Sequence, residues 1–423
     1  MRPEPQAART RGQQAPHARV LDAILWSSPI LVGSALALWW RPEPHSDWLY
    51  YWNAAGSPDG YLRGGVGLWL IAVPKWLGAS PVVSALILNI VSVIVLMATM
   101  RRSDRSPLRL PSWLFVAYLF LLSPFLGLVQ LDIAAAAALG VAFRGMLGEG
   151  GHRPAWHRFA IALGGVGFAV STKPQYALVI WAMCGLAAVL ALASLRRPDS
   201  KVIAFVAMLM AGSLLGFALD MGMRQVAGQT GSMRTTSAVT LYAGLLESGT
   251  TRESGCGEWS IDATRAAYAD MDRSLPVAVA DRLRSKPPSH WLAVVRCKLP
   301  EVLLPSPFAV DWLRQAPNIR AWMESQPQPA QLLERYWRVL RVEKILYSAV
   351  VASILVLVFG SWIRRKARLD GMAPIPVLWV LSFWMVHLVF EIQGRYFLGM
   401  LLLAPLLFAL CTGRSSAREV EAG

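Results

Sequence analysis

The sequence predicts an all-α integral membrane protein of about ten transmembrane helices, with interfacial helices in a first outside loop and one large outside loop domain. Three observations carry that expectation. Of 423 residues, 55% are apolar and only 16% charged, where an ordinary soluble domain is about one-quarter charged. The apolar residues come in blocks of about 15–20, a length that approaches the roughly 30 Å hydrocarbon core of a bilayer. Short arginine-rich knots separate the blocks and contribute to a net charge of +15, as cytoplasmic loops of membrane proteins do. The expected partner of that charge is therefore a lipid bilayer and not a nucleic acid. The sequence contains no P-loop, zinc-ligand cluster or glycine-rich dinucleotide fingerprint, and neither a cofactor nor a metal is expected.

The elements follow in order. Residues 1–22 form a polar, arginine-rich tail ahead of an apolar run that lacks a small-residue cleavage site, the pattern of a retained signal anchor. Candidate spans cover 23–40, 81–100, 111–129, 132–147, 156–172, 176–195, 202–223, 345–363, 373–390 and 396–411. The first seven make an N-terminal transmembrane module, 23–223, and the last three a C-terminal set, 345–411, before a tail at 412–423. The piece 66–78 is short for crossing and cut by Pro74 and Lys75, so it reads as interfacial or re-entrant. Placing the N-terminus in the cytoplasm puts Arg101, Arg102, Arg105 and Arg109, then Arg364, Arg365, Lys366 and Arg368, on the inside, and leaves the short outside turns almost free of Lys and Arg. Both termini are then cytoplasmic, and the expected location is a bacterial cytoplasmic (inner) membrane.

Two outside segments are too long to be turns: 41–80, and 224–344, which is the candidate soluble domain. Within the second, 235–244 reads as ordered, 249–257 as a polar loop and 263–284 as helical. Trp291, Leu292, Val295 and Leu299 form an apolar face expected to pack on the membrane domain. Cys256 and Cys297 both fall in this block; an oxidising exterior would pair them, and two free thiols are the alternative.

Charged groups near a bilayer are costly and so are candidates for function. Asp47, Asp132, Lys173, Glu391 and Arg395 all fall at outward ends of spans. Moving a sugar from a lipid phosphate to a hydroxyl or amine needs a carboxylate to take a proton and cations to stabilise the departing phosphate. Asp47 is the expected base, with Asp132 as a second catalytic candidate and Lys173 and Arg395 at the phosphate. Trp48, Tyr50, Tyr51 and Trp52 would seat the first loop at headgroup level. Structural readings stand beside these: Asp47 and Asp132 as helix N-caps, Lys173 as a snorkelling lysine, and Glu391 with Arg395 as an i,i+4 pair on one helix.

These motifs resemble the GT-C superfamily of integral membrane glycosyltransferases, in the branch of protein mannosyltransferases and the lipid A aminoarabinose transferase. Asp47 followed by Tyr50, Tyr51 and Ala54 is similar to the family's acidic motif after the first span. Gln130-Leu131-Asp132 resembles the second acidic motif, 164–174 ending in Thr172-Lys173-Pro174 the glycine-rich span closed by lysine, and 390–396 with Glu391, Arg395 and Tyr396 the late Glu…Arg-Tyr segment. The resemblance covers roughly 23–257 and 373–410 and implies a GT-C-like bundle with Asp47 as base and Glu391, Tyr50, Tyr51 and Tyr396 in support. The chain departs from the pattern in carrying Asp47 alone where many relatives have an acidic pair. The proline-rich stretch before the second span appears only as 58–63, so Arg63 joins the phosphate candidates with its role open.

The expected function is an inverting glycosyltransferase that takes a sugar from a polyprenyl-phosphate donor to a cell-envelope lipid, glycan or protein. A polymerase or ligase of lipid-linked oligosaccharide is the alternative; it would use Arg282, Arg284, Arg296 and Arg314 for a second lipid phosphate. A transporter or flippase would need charges at mid-membrane, where only Asp220 comes close.

Overall fold

The computed structural model describes residues 16–56, 65–104, 109–128, 130–147, 154–193, 200–226, 234–270, 272–364 and 372–421. All regular structure among them is helical. In chain order the helices are α1 (Pro16–Trp40), α2 (Ser46–Ala54), α3 (Gly65–Trp76), α4 (Pro81–Ser103), α5 (Leu110–Leu121), α6 (Asp132–Leu147), α7 (Ala155–Thr172), α8 (Gln175–Ala193) and α9 (Ser200–Val226). There follow α10 (Arg234–Leu241), α11 (Ile261–Ala269), α12 (Leu275–Ser285), α13 (Pro288–Leu303), α14 (Ala309–Arg314), α15 (Pro317–Glu324), α16 (Pro329–Arg364), α17 (Ile375–Val389) and α18 (Leu398–Glu421).

Among the described residues, six stretches are long and apolar enough to cross a membrane: Val20–Trp40, Pro81–Ser103, Gln175–Leu192, Val202–Met223, Pro329–Ile363 and Gly394–Thr412. The chain is thus a multi-pass α-helical membrane protein. Four further expected spans are shorter or more polar. The apolar α5 and α17 have 12 and 15 residues, α6 has 16, and α7 carries His157 and Arg158 near its start. The expected span 111–129 is broken because α5 stops at Leu121 and Ser123-Pro124-Phe125 forms a 3-10 turn; proline lacks the N–H that would continue a helix. The expected span from 345 is the second half of a helix that begins at Pro329.

The centre of the bundle is α18, whose Leu398, Met400–Leu403, Leu406 and Leu407 are fully enclosed by α4, α5, α6, α16 and α17. On one side α7 lies between α6 and α9. Small residues permit this approach: a Cβ at Gly165 would come within 2.8 Å of the Ala138 carbonyl oxygen on α6. The piece expected to be interfacial or re-entrant is α3, packed on α4, α7 and α9. Buried Asp220 of α9 accepts the Gly65 N–H at 2.6 Å and so caps α3.

The block after α9 is helical and rests on the bundle. Cys256 and Cys297 are bonded as a disulfide with Cα atoms 6.4 Å apart. The 263–284 stretch divides into α11 and α12. The expected packing face of α13 is only half buried: Trp291 and Val295 are partly covered. Leu292 and Leu299 are exposed, and Val294, Lys298 and Val302 are buried, one helical stripe at i, i+4 and i+8. The reason is Lys298, whose amine finds three acceptors on the inner side.

Candidate functional site

Five sequence-distant stretches meet where α1, α7 and α17 end and α6 begins. The chain leaves α1 through Arg41 and enters α2 through Ser46, both at positive φ (44° and 49°), a region costly for side-chain-bearing residues. Asn318 holds this turn, donating to the Trp40 and Arg41 carbonyls at 3.1 Å each and accepting the Glu43 N–H at 3.0 Å. Asp47 therefore sits beside a strained residue on a loop fixed from outside. His45, and not Asp47, occupies the N-cap position of α2.

Arg395 is the hub. Its guanidinium donates to Asp47 Oδ2 at 2.5 Å, Gln130 Oε1 at 2.8 Å and Gln393 Oε1 at 2.7 Å. Its flat faces lie 4.6 Å from the Trp312 ring centre and 5.0 Å from that of Tyr396, a favourable placement for a cation. Gln393 passes the network on, donating to Glu391 Oε1 at 2.5 Å. Glu391 and Arg395 are thus linked through Gln393 and do not share a helix: 390–393 is non-helical and Gly394–Phe397 is a 3-10 turn.

A second pair lies deeper. Lys173 Nζ donates to Asp132 Oδ2 at 3.0 Å, and Gln175 reaches the other carboxylate oxygen at 3.5 Å. Side-chain exposure is 9% for Lys173 and 1% for Asp132, against 3% for Arg395 and 16% for Asp47. Asp47 is the most accessible of the four, the property a proton acceptor needs. Desolvating such pairs costs several kcal/mol per ion before their attraction offsets it.

The 390–393 segment is pinned by the outer block. Glu391 N–H donates to the Thr240 carbonyl at 2.8 Å and Ile392 N–H to Gly257 at 2.7 Å. A side chain at Gly244 would collide with the Phe390 backbone. Lys298 Nζ donates to the carbonyls of Gly244, Leu388 and Phe390 at 2.7, 2.9 and 2.8 Å. Burial pushes its amine down to about 7, with Glu391 pulling the other way. On the bundle side, His387 Nδ1 lies 2.9 Å from the Glu391 carbonyl.

Asp47, Asp132, Lys173, Glu391, Arg395 and Tyr396 therefore come together. Tyr51 is buried in the adjoining core and Tyr50 is exposed. Arg63 lies outside the described residues. Sequence reasoning did not select Gln130, Gln175, Gln393, Trp312 or Lys298. Gln130 was within reach, as a polar residue in the otherwise apolar run before Asp132; Trp312 gave no local sign. Of the outer arginines, Arg282 is engaged by Asp270 and Glu247 and Arg314 by Asp311, while Arg284 and Arg296 are exposed. Among the described residues no group of three His, Cys, Asp or Glu side chains is placed to hold a metal.

Set against protein-family models, curated proteins and solved structures, the chain matches none of them at a significant level.

Proposed function

We propose that the chain is an inverting glycosyltransferase that moves a sugar from a polyprenyl-phosphate donor to an envelope acceptor. The proposal places it in a GT-C-like, ten-span bundle with both termini cytoplasmic and the site on the outer face. The single observation that carries the reading is the double pairing of accessible Asp47 with Arg395 and of Asp132 with Lys173 in one largely buried cluster. A lipid phosphodiester donor carries one negative charge and its leaving phosphate gains a second. Two cations already fixed nearby meet that developing charge without reorganising. The acceptor attacks the anomeric carbon, Asp47 takes its proton, and Arg395 and Lys173 hold the departing phosphate. Glu391, through Gln393, orients Arg395.

The test is transfer of label from polyprenyl-phosphate sugars to envelope extract in membranes carrying wild type or Asp47→Asn. The amide keeps an oxygen for Arg395, so the fold is retained, while transfer falls by about 10²–10⁴-fold, the usual contribution of general base catalysis. Full transfer by folded Asp47→Asn would remove the base; no transfer from any donor by folded wild type would remove the reaction.

A further inference from the structure

The Arg395 hub contains an orphaned donor. The Gln130 side chain is fully buried, and its Nε2 has no hydrogen-bond partner. Turning the amide round would not repair this. Oε1 is the atom that accepts from Arg395 Nη1 at 2.8 Å, and a guanidinium accepts nothing in return. Both N–H groups of the amide are therefore left over. The nearest carboxylate in the chain, Asp132, is taken up by Lys173 at 3.0 Å and Gln175 at 3.5 Å.

Arg395 adds to the surplus. A guanidinium carries five N–H groups. Nε is used on Gln393, Nη1 on Gln130, and Nη2 on Asp47 and, at 3.5 Å, on Tyr396. The second Nη1 hydrogen has no acceptor among the described residues. Two residues bonded to each other thus offer unused N–H donors and no unused acceptor between them. Covalent geometry sets the amide oxygen and nitrogen about 2.3 Å apart, so Nε2 lies no more than about 5 Å from Nη1. One phosphate, accepting through two of its oxygens, spans that gap.

We infer that Gln130 is a further substrate-binding residue, whose amide donates to a phosphate oxygen of the lipid-linked donor beside Arg395. The inference rests on the transfer reaction proposed above. The ligand class follows from the unused groups, which are all donors. A sugar hydroxyl brings a proton that itself needs an acceptor, whereas an ionised phosphate oxygen brings only lone pairs. A buried donor without an acceptor forfeits its hydration, and the phosphate supplies the missing partner. Such charge-assisted bonds are the stronger kind, and this one strengthens as the departing phosphate gains its second charge.

The experiment uses the full chain in detergent micelles with isotopically labelled glutamine nitrogen, titrated with undecaprenyl phosphate or with undecaprenol, which has the same chain and no phosphate. The side-chain amide signal missing from the spectrum of a folded Gln130 variant identifies the residue. That signal should move downfield with the phosphate and stay put with the alcohol. Gln130→Glu keeps an oxygen for Arg395 and removes the N–H donors; Gln130→Met removes the donors without adding charge. Both should weaken undecaprenyl phosphate binding by about tenfold or more, with circular dichroism confirming the fold. Should Gln130→Met fail to fold, the wild-type titration and Gln130→Glu decide. An unmoved signal in a chain saturated with undecaprenyl phosphate, or wild-type affinity in folded Gln130→Glu, would overturn the inference and leave the transfer reaction standing. A shifted signal in a chain that transfers no sugar would keep Gln130 at a phosphate site and remove the reaction. No binding of undecaprenyl phosphate by the wild type would overturn both.

Discussion

Two clusters of arginines and carboxylates in this molecule use the same chemistry to different ends. In the outer block Arg282 bridges Asp270 and Glu247, and Arg273 pairs with Asp270 and Asp281. Its partners lie 3 to 35 residues apart, and several of its side chains are 30–50% exposed. In the Asp47 cluster the partners lie 348 and 265 residues apart and almost nothing is exposed. Surface pairs are cheap to make and contribute little; buried ones are expensive and are destabilising to break. A chain that assembles the expensive kind from five distant stretches, on a loop with two strained residues, has spent stability on geometry.

Breaking the hub should show the difference most strongly. Arg395→Ala removes the guanidinium that donates to Asp47, Gln130 and Gln393. We expect transfer to fall below detection and unfolding free energy to drop by about 3–5 kcal/mol, read from thermal melts in detergent. An undiminished melt would mean that the cluster is hydrated and not buried. Next, Lys173→Met and Asp132→Asn should each impair folding, whereas the double variant should lose less than their sum. A double-mutant cycle is expected to give about 0.5–3 kcal/mol of coupling; zero coupling would dissolve the pair.

Lys298 sharpens the comparison through pH. Its folded pKa of about 7 lies below the unfolded value near 10.4, so the unfolded chain binds more protons between these values and stability should rise with pH across that window. It is lost as pH falls toward 7. Lys298→Met should flatten this limb of a melting-temperature profile; an unchanged slope would assign it to other groups. Smallest of all, Arg282→Ala should cost no more than about 1 kcal/mol and leave transfer rates intact. A large effect on transfer would join the two clusters functionally and favour the polymerase reading.

Much of this was legible in the sequence because charge interrupts apolar text. Asp132, Lys173 and Arg395 stand at span ends, and their residue types alone mark them as costly. What stayed hidden was uncharged or non-local. Gln393 matters only because its two ends reach Glu391 and Arg395, and Trp312 only because α14 folds over the hub. Lys298 misled, since α13 carries two apolar stripes and a lysine in one of them reads as the wet side. The fold itself was blurred where hydropathy sees only part of an element: the polar first half of α16 hid its continuity with the span, and Pro124 was overridden by the leucines around it.

The disulfide stands one residue away from two of the outer anchors of the 390–393 segment. Gly257, which accepts the Ile392 N–H, follows Cys256; Lys298, which holds the Phe390 carbonyl, follows Cys297. The bridge makes a loop and a helix into one jaw closed on the backbone that carries Glu391. Closure of that jaw is thereby tied to oxidation of two thiols, and a chain kept reduced would hold every residue of the cluster yet lack the clasp that sets their spacing.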